Sequence, residues 1–208
     1  TRARIGQIIA KFQQRWKQDS AISLVRDLLA EAVAGHGGVL SLREAADALL
    51  VARGCAHDEP VRTAVACAVI RAAVEAERTT GEPRFLVWRV ESRLLLSKQG
   101  DFVDYARRLG EQADLLSGED PLAAPQRATE QLRAVPAPDG LKLSDARLRR
   151  LAAECSAGAV LSWRQEFYRR GMSAARAIRL SQGALMGPRE LTIEQICERV
   201  QSRYPECA

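Results

Sequence analysis

The sequence predicts a mainly α protein: a winged helix-turn-helix with a small β-ribbon wing, followed by a second helical, winged-helix-like module. Three observations predict it. Between Val33 and Lys98 the chain reads helix end, short extended step, helix, turn, helix, two-stranded ribbon. Aromatics are only 5% of a chain in which Ala and Arg are abundant, a composition that favours packed helices over a β-sandwich. A second stretch, Leu185 to Ile196, runs through the same order of helix end, Gly, extended step, cap and helix as Val33 to Ala46.

Each element has a local cause. Residues 4–17 place Ile5, Ile8, Ile9, Phe12 and Trp16 on one side of a helix, which predicts an amphipathic helix packed on the winged domain. Residues 20–34 give a second, with Ile22, Val25, Leu28, Leu29 and Val33 inward. Gly37-Gly38 ends it where a left-handed residue costs least. Val39-Leu40 suits a one-bridge strand. Ser41 with Glu44 three residues on is a capping box, and Leu42, Ala45, Ala46, Leu49 and Leu50 repeat at helical spacing up to Gly54. Asp58 or Glu59 is the expected cap of the next helix, with Pro60 at its first helical position. Val61, Val65, Ala68, Val69, Ala72 and Ala76 are its expected inner stripe, ending by Arg78. Arg84 to Val90 and Arg93 to Lys98 read as the ribbon, turning at Glu91-Ser92.

Beyond the wing, Asp101 to Ser117 reads as a helix and 121–133 as a short one. Ala134-Val135-Pro136-Ala137-Pro138-Asp139-Gly140 is a stiff linker. The predicted organisation is therefore 1–117 for the winged domain with its flanking helices, 118–140 for short helix and linker, and 141–208 for a second, truncated module. There, Ser144 caps a helix running to Ala157, and Val160 to Tyr168 fits either a strand or a short helix. Ser173 caps a helix to Met186 that Gly187-Pro188 ends. Thr192 with Gln195 forms a second capping box ahead of Ile193, Ile196, Val200 and Tyr204.

Composition excludes several function classes. At 208 residues and net charge +5 the chain is mildly basic, which suits a polyanionic partner. No apolar run approaches the roughly 18–20 residues that span a bilayer, and no membrane role is expected. Thr1 in place of Met points to a processed or cut chain. The five cysteines contain no CxxC, and His36 and His57 lack ligand-like spacing, so no metal and no cofactor are expected. A reducing, cytoplasmic setting fits the cysteines. No Ser-His-Asp or Cys-His set can be drawn, Gly35-His36-Gly37-Gly38 lacks the Gly-Lys-Ser/Thr of a phosphate loop, and no catalytic residue is assigned.

The candidate chemistry is phosphate binding. On the third helix and wing the residues are Arg62, Thr63, Arg71, Arg78, Arg84, Arg89, Arg93 and Lys98, joined by Arg43 at a helix start. Glu75 and Glu77 oppose them on the same helix. A second basic patch lies in Lys142 to Arg179, with Arg147, Arg150, Arg164, Arg169, Arg170 and Arg176 as candidates. Nine cations there face only Asp145, Glu154 and Glu166. Trp163, Phe167 and Tyr168 interleave with this patch and read as core.

The winged outline resembles HARE-type and related bacterial winged-helix domains. Tyr105-Ala106, Leu109-Gly110, Ala113-Asp114, Asp120-Pro121-Leu122, Leu132-Arg133-Ala134-Val135-Pro136, Gly171-Met172, Leu191-Thr192 and Arg203-Tyr204-Pro205-Glu206 together resemble the non-kinase region of the large actinobacterial serine/threonine kinases of phage-growth-limitation (BREX type 2) defence systems. The resemblance implies an antiviral role in a bacterial cell and an accessory region of a longer polypeptide. It carries over no active-site residue, since no Gly-rich phosphate loop, His-Arg-Asp or Asp-Phe-Gly occurs. The expected partner is double-stranded DNA. The alternative is another protein, or the rest of the polypeptide, docked on a winged-helix scaffold.

Overall fold

The structure, a computed structural model, describes residues 2–90, 93–186 and 191–208. Packing divides the chain into two compact units, Thr1–Asp104 with Gly140–Lys142, and Tyr105–Asp139 with Leu143–Ala208. Among the described residues no helix is long and apolar enough to cross a membrane.

The first unit begins with helix α1 (Arg2–Gln18). Helix α2 (Ser20–Gly35) starts where the Asp19 carboxylate accepts from the backbone N–H groups of Ala21 and Ile22. It ends at Gly37 and Gly38, both at positive φ. Gly38 is also required for space, because a Cβ there would lie 2.5 Å from the Phe102 ring. Strand β1 (Val39–Ser41) leads into helix α3 (Leu42–Arg53), and the Ser41–Glu44 capping box forms in both directions. Helix α4 (Val61–Glu77) follows, then strands β2 (Leu86–Val90) and β3 (Arg93–Ser97). The sheet order is β1-β3-β2, antiparallel throughout, with Leu40 and Val87 both opposite Leu96. The predicted Glu91-Ser92 turn lies outside the described residues.

Leu29, Leu40, Ile70, Phe85 and Leu96 are fully buried in one core with Val25, Val33, Ala45, Leu49 and Ala73. Each large side chain removed from water there contributes about 1.5–3 kcal/mol. This is the mainly α, winged-helix arrangement that the sequence predicts: three helices against a small sheet.

Two details of α4 differ from expectation. Neither Asp58 nor Glu59 caps it; Pro60 stands at the N-cap without a side-chain bond. Its inner face is Ala66, Ile70, Ala73, Val74, Ala76 and Glu77, whereas Val61, Val65 and Ala68 of the expected stripe are exposed. An Ala-rich helix offers small residues on every side, so apolar spacing does not fix its rotation. The partners do, and one of the residues turned inward is a carboxylate.

Helix α5 (Gly100–Ser117) straddles the two units. In the second unit come α6 (Pro125–Arg133), α7 (Asp145–Cys155), strands β4 (Ala159–Leu161) and β5 (Phe167–Arg169), then α8 (Ala174–Leu180), α9 (Gln182–Leu185) and α10 (Ile193–Arg203). Helix α6 packs on α7, and α7 on β4. Helix, helix, antiparallel ribbon is thus repeated in α6, α7 and β4–β5. The repeat drawn from Leu185 to Ile196 runs through 187–190, and it and the Gly187-Pro188 stop lie outside the described residues. The stretch Val160 to Tyr168 resolves as a hairpin, and the helix expected from Ser173 to Met186 is broken at Ser181 into α8 and α9. Ser144 and Thr192 cap α7 and α10 as expected. Tyr168 and Tyr204 meet edge to face with ring centroids 5.1 Å apart in a core with Val160, Met172, Ala177 and Val200.

Candidate nucleic-acid interface

The predicted cations of the first unit divide into two groups. Arg43 in the first turn of α3, Arg62 and Arg71 on α4, Arg89 on β2 and Lys98 after β3 are exposed, with no carboxylate at ion-pair distance among the described residues. On β2, Val87 and Arg89 are exposed while Leu86 and Trp88 are half-buried, the alternation of a strand with one covered face.

The other candidates are engaged. Thr63 donates its hydroxyl to both oxygens of Glu59, at 2.9 and 2.8 Å. Arg78 pairs with Glu75 at 3.1 Å. Arg93 also has an interaction partner. Arg84 is taken up in a network with Glu77, which is only 1% exposed: Arg84 reaches Glu77 through Nε at 3.0 Å and Asp27 through Nη1 at 2.8 Å, and Arg26 Nε reaches Glu77 at 2.7 Å. Burial works to raise the Glu77 pKa, but the hydrogen bonds from Arg84 and Arg26 outweigh it and hold the carboxyl at about 2. The same bonds from Glu77 and Asp27 raise Arg84 further above the usual arginine value. Arg84 is therefore a structural cation joining the wing to α2 and α4. Its partners lie 7 and 57 residues away, and only Glu77 was near enough in sequence to suggest the pair.

Helix α1 limits the approach to α4. Gln13 Nε2 donates to Glu75 at 2.7 Å and Lys17 Nζ to the Thr79 carbonyl at 3.3 Å, both across an offset of 62 residues, so α1 runs parallel to α4 and is bonded to its C-terminal end. Towards its N-terminus α4 stays open: residues 61–65 and Ala68 are exposed, and so is Arg71. The packed apolar face expected of α1 is only partly covered. Ile5, Ile8, Ile9 and Phe12 are each about half exposed.

In the second unit, Arg164 and Arg169 are exposed and unpaired among the described residues. Arg147 and Arg150 are engaged. Arg170 pairs with Glu206 at 2.6 Å, and Arg176 donates to the Glu119 carbonyl at 2.6 Å. Phe167 and Tyr168 are fully buried as expected, but Trp163 is 81% exposed. It stands at the β4–β5 turn, between the two strands. Its neighbour Arg164 was the available signal, since a Trp flanked by Ser and Arg between two strands marks a turn better than a core.

Fold and surface together define a mainly α protein of winged-helix-like units carrying exposed cations. Neither a family model nor a solved structure matches the chain. The chain is 33% identical, over 234 aligned positions, to a probable kinase, PglW, of Streptomyces coelicolor (strain ATCC BAA-471 / A3(2) / M145). The match takes in 98% of this chain and 15% of that protein, so the chain spans about one seventh of the relative's length. The resemblance to the large actinobacterial kinases is borne out by this match, and the absence of kinase signatures in the sequence is consistent with a region outside the catalytic part.

Proposed function

We propose that this chain is a non-catalytic, duplex-DNA-binding module of a larger bacterial antiphage-defence protein, working in the cytoplasm and contacting DNA mainly through phosphates. The observation that carries the reading is the set of exposed cations, without a carboxylate partner among the described residues, on the open face of α4, the start of α3 and the wing: Arg43, Arg62, Arg71, Arg89 and Lys98. A guanidinium held out in water by a rigid helix or strand loses little on meeting a phosphate, whereas one already paired must first break that pair. Because α1 is bonded to the C-terminal end of α4 at Glu75 and Thr79, the contact involves that helix from its start as far as Arg71, together with the ribbon. The 1–117 segment is the proposed DNA-contacting module, and 141–208 a second, related one.

Anisotropy of a labelled 20-base-pair duplex, titrated at rising salt, tests the proposal. Four to five neutralised phosphates give a log–log slope of about −4. A flat or absent response at low salt overturns it.

A second reading is favoured by α1. Its half-exposed Ile5, Ile8, Ile9 and Phe12, with exposed Val61 and Val65 on α4, are apolar surface of the sort found at protein contacts. In that reading the unit docks another part of a longer polypeptide and retains no DNA at low salt.

A further inference from the structure

The tip of the β4–β5 hairpin presents an aromatic ring and a cation from one rigid turn. Gln165 N donates to the Ser162 carbonyl at 2.9 Å, closing a β-turn whose two central residues are Trp163 and Arg164. Ser162 N donates to the Glu166 carbonyl at 2.9 Å, and Gln165 takes a positive φ of 64°. This is a three-residue hairpin loop ending in a left-handed residue. A non-glycine residue holds that conformation only when its surroundings enforce it.

The surroundings do so here. The Ser162 hydroxyl donates to the Glu166 carboxylate at 3.0 Å and accepts from Glu166 N at 3.1 Å. Arg203 grips both oxygens of Glu166 at 3.1 Å and donates to the Leu180 carbonyl at 2.8 Å. The Arg203 carbonyl accepts from Trp163 N at 3.0 Å. The Trp163 backbone is thus fixed on both sides while the residue is 81% exposed, beside an exposed Arg164 that has no carboxylate partner among the described residues.

An indole in solvent on a fixed backbone stacks on a planar partner without first ordering the chain. The flanking guanidinium selects a partner that is negatively charged. A nucleobase with its own phosphate meets both demands, but a base inside a duplex has both faces covered by its neighbours. We propose that Trp163 and Arg164 form a stacking site for unpaired nucleotides, Trp163 taking the base and Arg164 the adjoining phosphate, so that the second unit contacts single-stranded or locally opened DNA. The inference deepens the DNA-binding reading and rests on it, but draws on residues of the second unit that the duplex contact does not use.

The test is anisotropy of a labelled 15-nucleotide oligo(dT) and of a 15-base-pair duplex, each with the 208-residue chain and its W163A, W163F and R164A variants. Melting temperature is the check on folding, and it should not move, since neither side chain packs in a core. The expected result is that W163A weakens oligo(dT) binding about tenfold, that W163F restores most of it, and that neither changes duplex binding. R164A should weaken oligo(dT) binding and flatten its salt dependence. Oligo(dT) affinity unchanged by W163A overturns the stacking site while duplex binding keeps the broader reading. Failure to bind either oligonucleotide overturns both and leaves the turn as a contact for a protein.

Discussion

Arg84 donates to Glu77 from three of its nitrogens, the backbone N at 2.9 Å, Nε at 3.0 Å and Nη2 at 3.1 Å, so the residue that leads into the wing is fastened to the end of α4. Arg26 meets the same carboxylate from α2. Glu77→Gln keeps the shape but removes the charge that two guanidinium groups share. Breaking a buried ion pair from one side costs about 3–5 kcal/mol, and we expect a loss of about 3 kcal/mol in urea unfolding at neutral pH.

The same carboxylate sets a pH dependence. Its pKa falls from an ordinary 4.5 to about 2 on folding. Between those values the unfolded chain binds the proton and the folded chain does not, so stability rises with pH there. The contribution of Glu77 is complete above about pH 4.5 and is lost as pH falls towards 2. The melting temperature of the parent chain should therefore drop more steeply than that of E77Q between pH 5 and pH 2.5, measured by circular dichroism.

Arginines that look alike in sequence should behave differently. Arg62→Ala with Arg71→Ala should reduce DNA retention roughly tenfold or more in moderate salt and leave the melting temperature within a degree or two, because each lost phosphate contact flattens the salt slope by about one. Arg84→Ala should lower the melting temperature, since it leaves the buried Glu77 carboxylate with Arg26 as its one remaining guanidinium partner among the described residues. Unchanged DNA affinity in the double variant would move the contact elsewhere, with Arg164 and Arg169 next.

Gly110 in α5 passes so close to α7 that a Cβ would stand 2.4 Å from the Cys155 carbonyl oxygen. The obstacle is backbone and cannot rotate away. Gly110→Ala should cost about 1–3 kcal/mol despite alanine's better helix propensity, read as a shift of the urea midpoint. A neutral or stabilising result would contradict this packing.

Ser41 both accepts from Glu44 N at 3.1 Å and is bonded at its own N–H by the Glu44 carboxylate at 3.0 Å. Ser41→Ala should cost about 1 kcal/mol. Hydrogen exchange should show the loss at the first turn of α3.

What could be read from the sequence follows the range of the interaction. The capping boxes Ser41–Glu44 and Thr192–Gln195, the glycine stop at 37–38 and the ribbon from Leu86 to Ser97 depend on neighbours a few residues apart, and all were legible. The rotation of α4 was not, because it is decided by Ile70 and Glu77 meeting partners on α2, β2 and the wing. The candidate interface was legible as a list of cations, but Arg84, Arg78 and Arg170 cannot be told from Arg62 or Arg164 until their carboxylate partners are seen. Trp163 was misjudged because aromatic content suggests a core, while the turn bond from Gln165 to Ser162 decides where the ring goes.

Arg203 has a practical corollary for anyone trimming this chain. It is the last residue of α10, yet its guanidinium secures Glu166 and the Leu180 carbonyl, and its own carbonyl secures Trp163. A fragment ending before residue 203 would retain β4 and β5 but lose the clamp that gives their loop a single shape. Such a fragment would pass a helicity check and still report the wrong affinity at the tip.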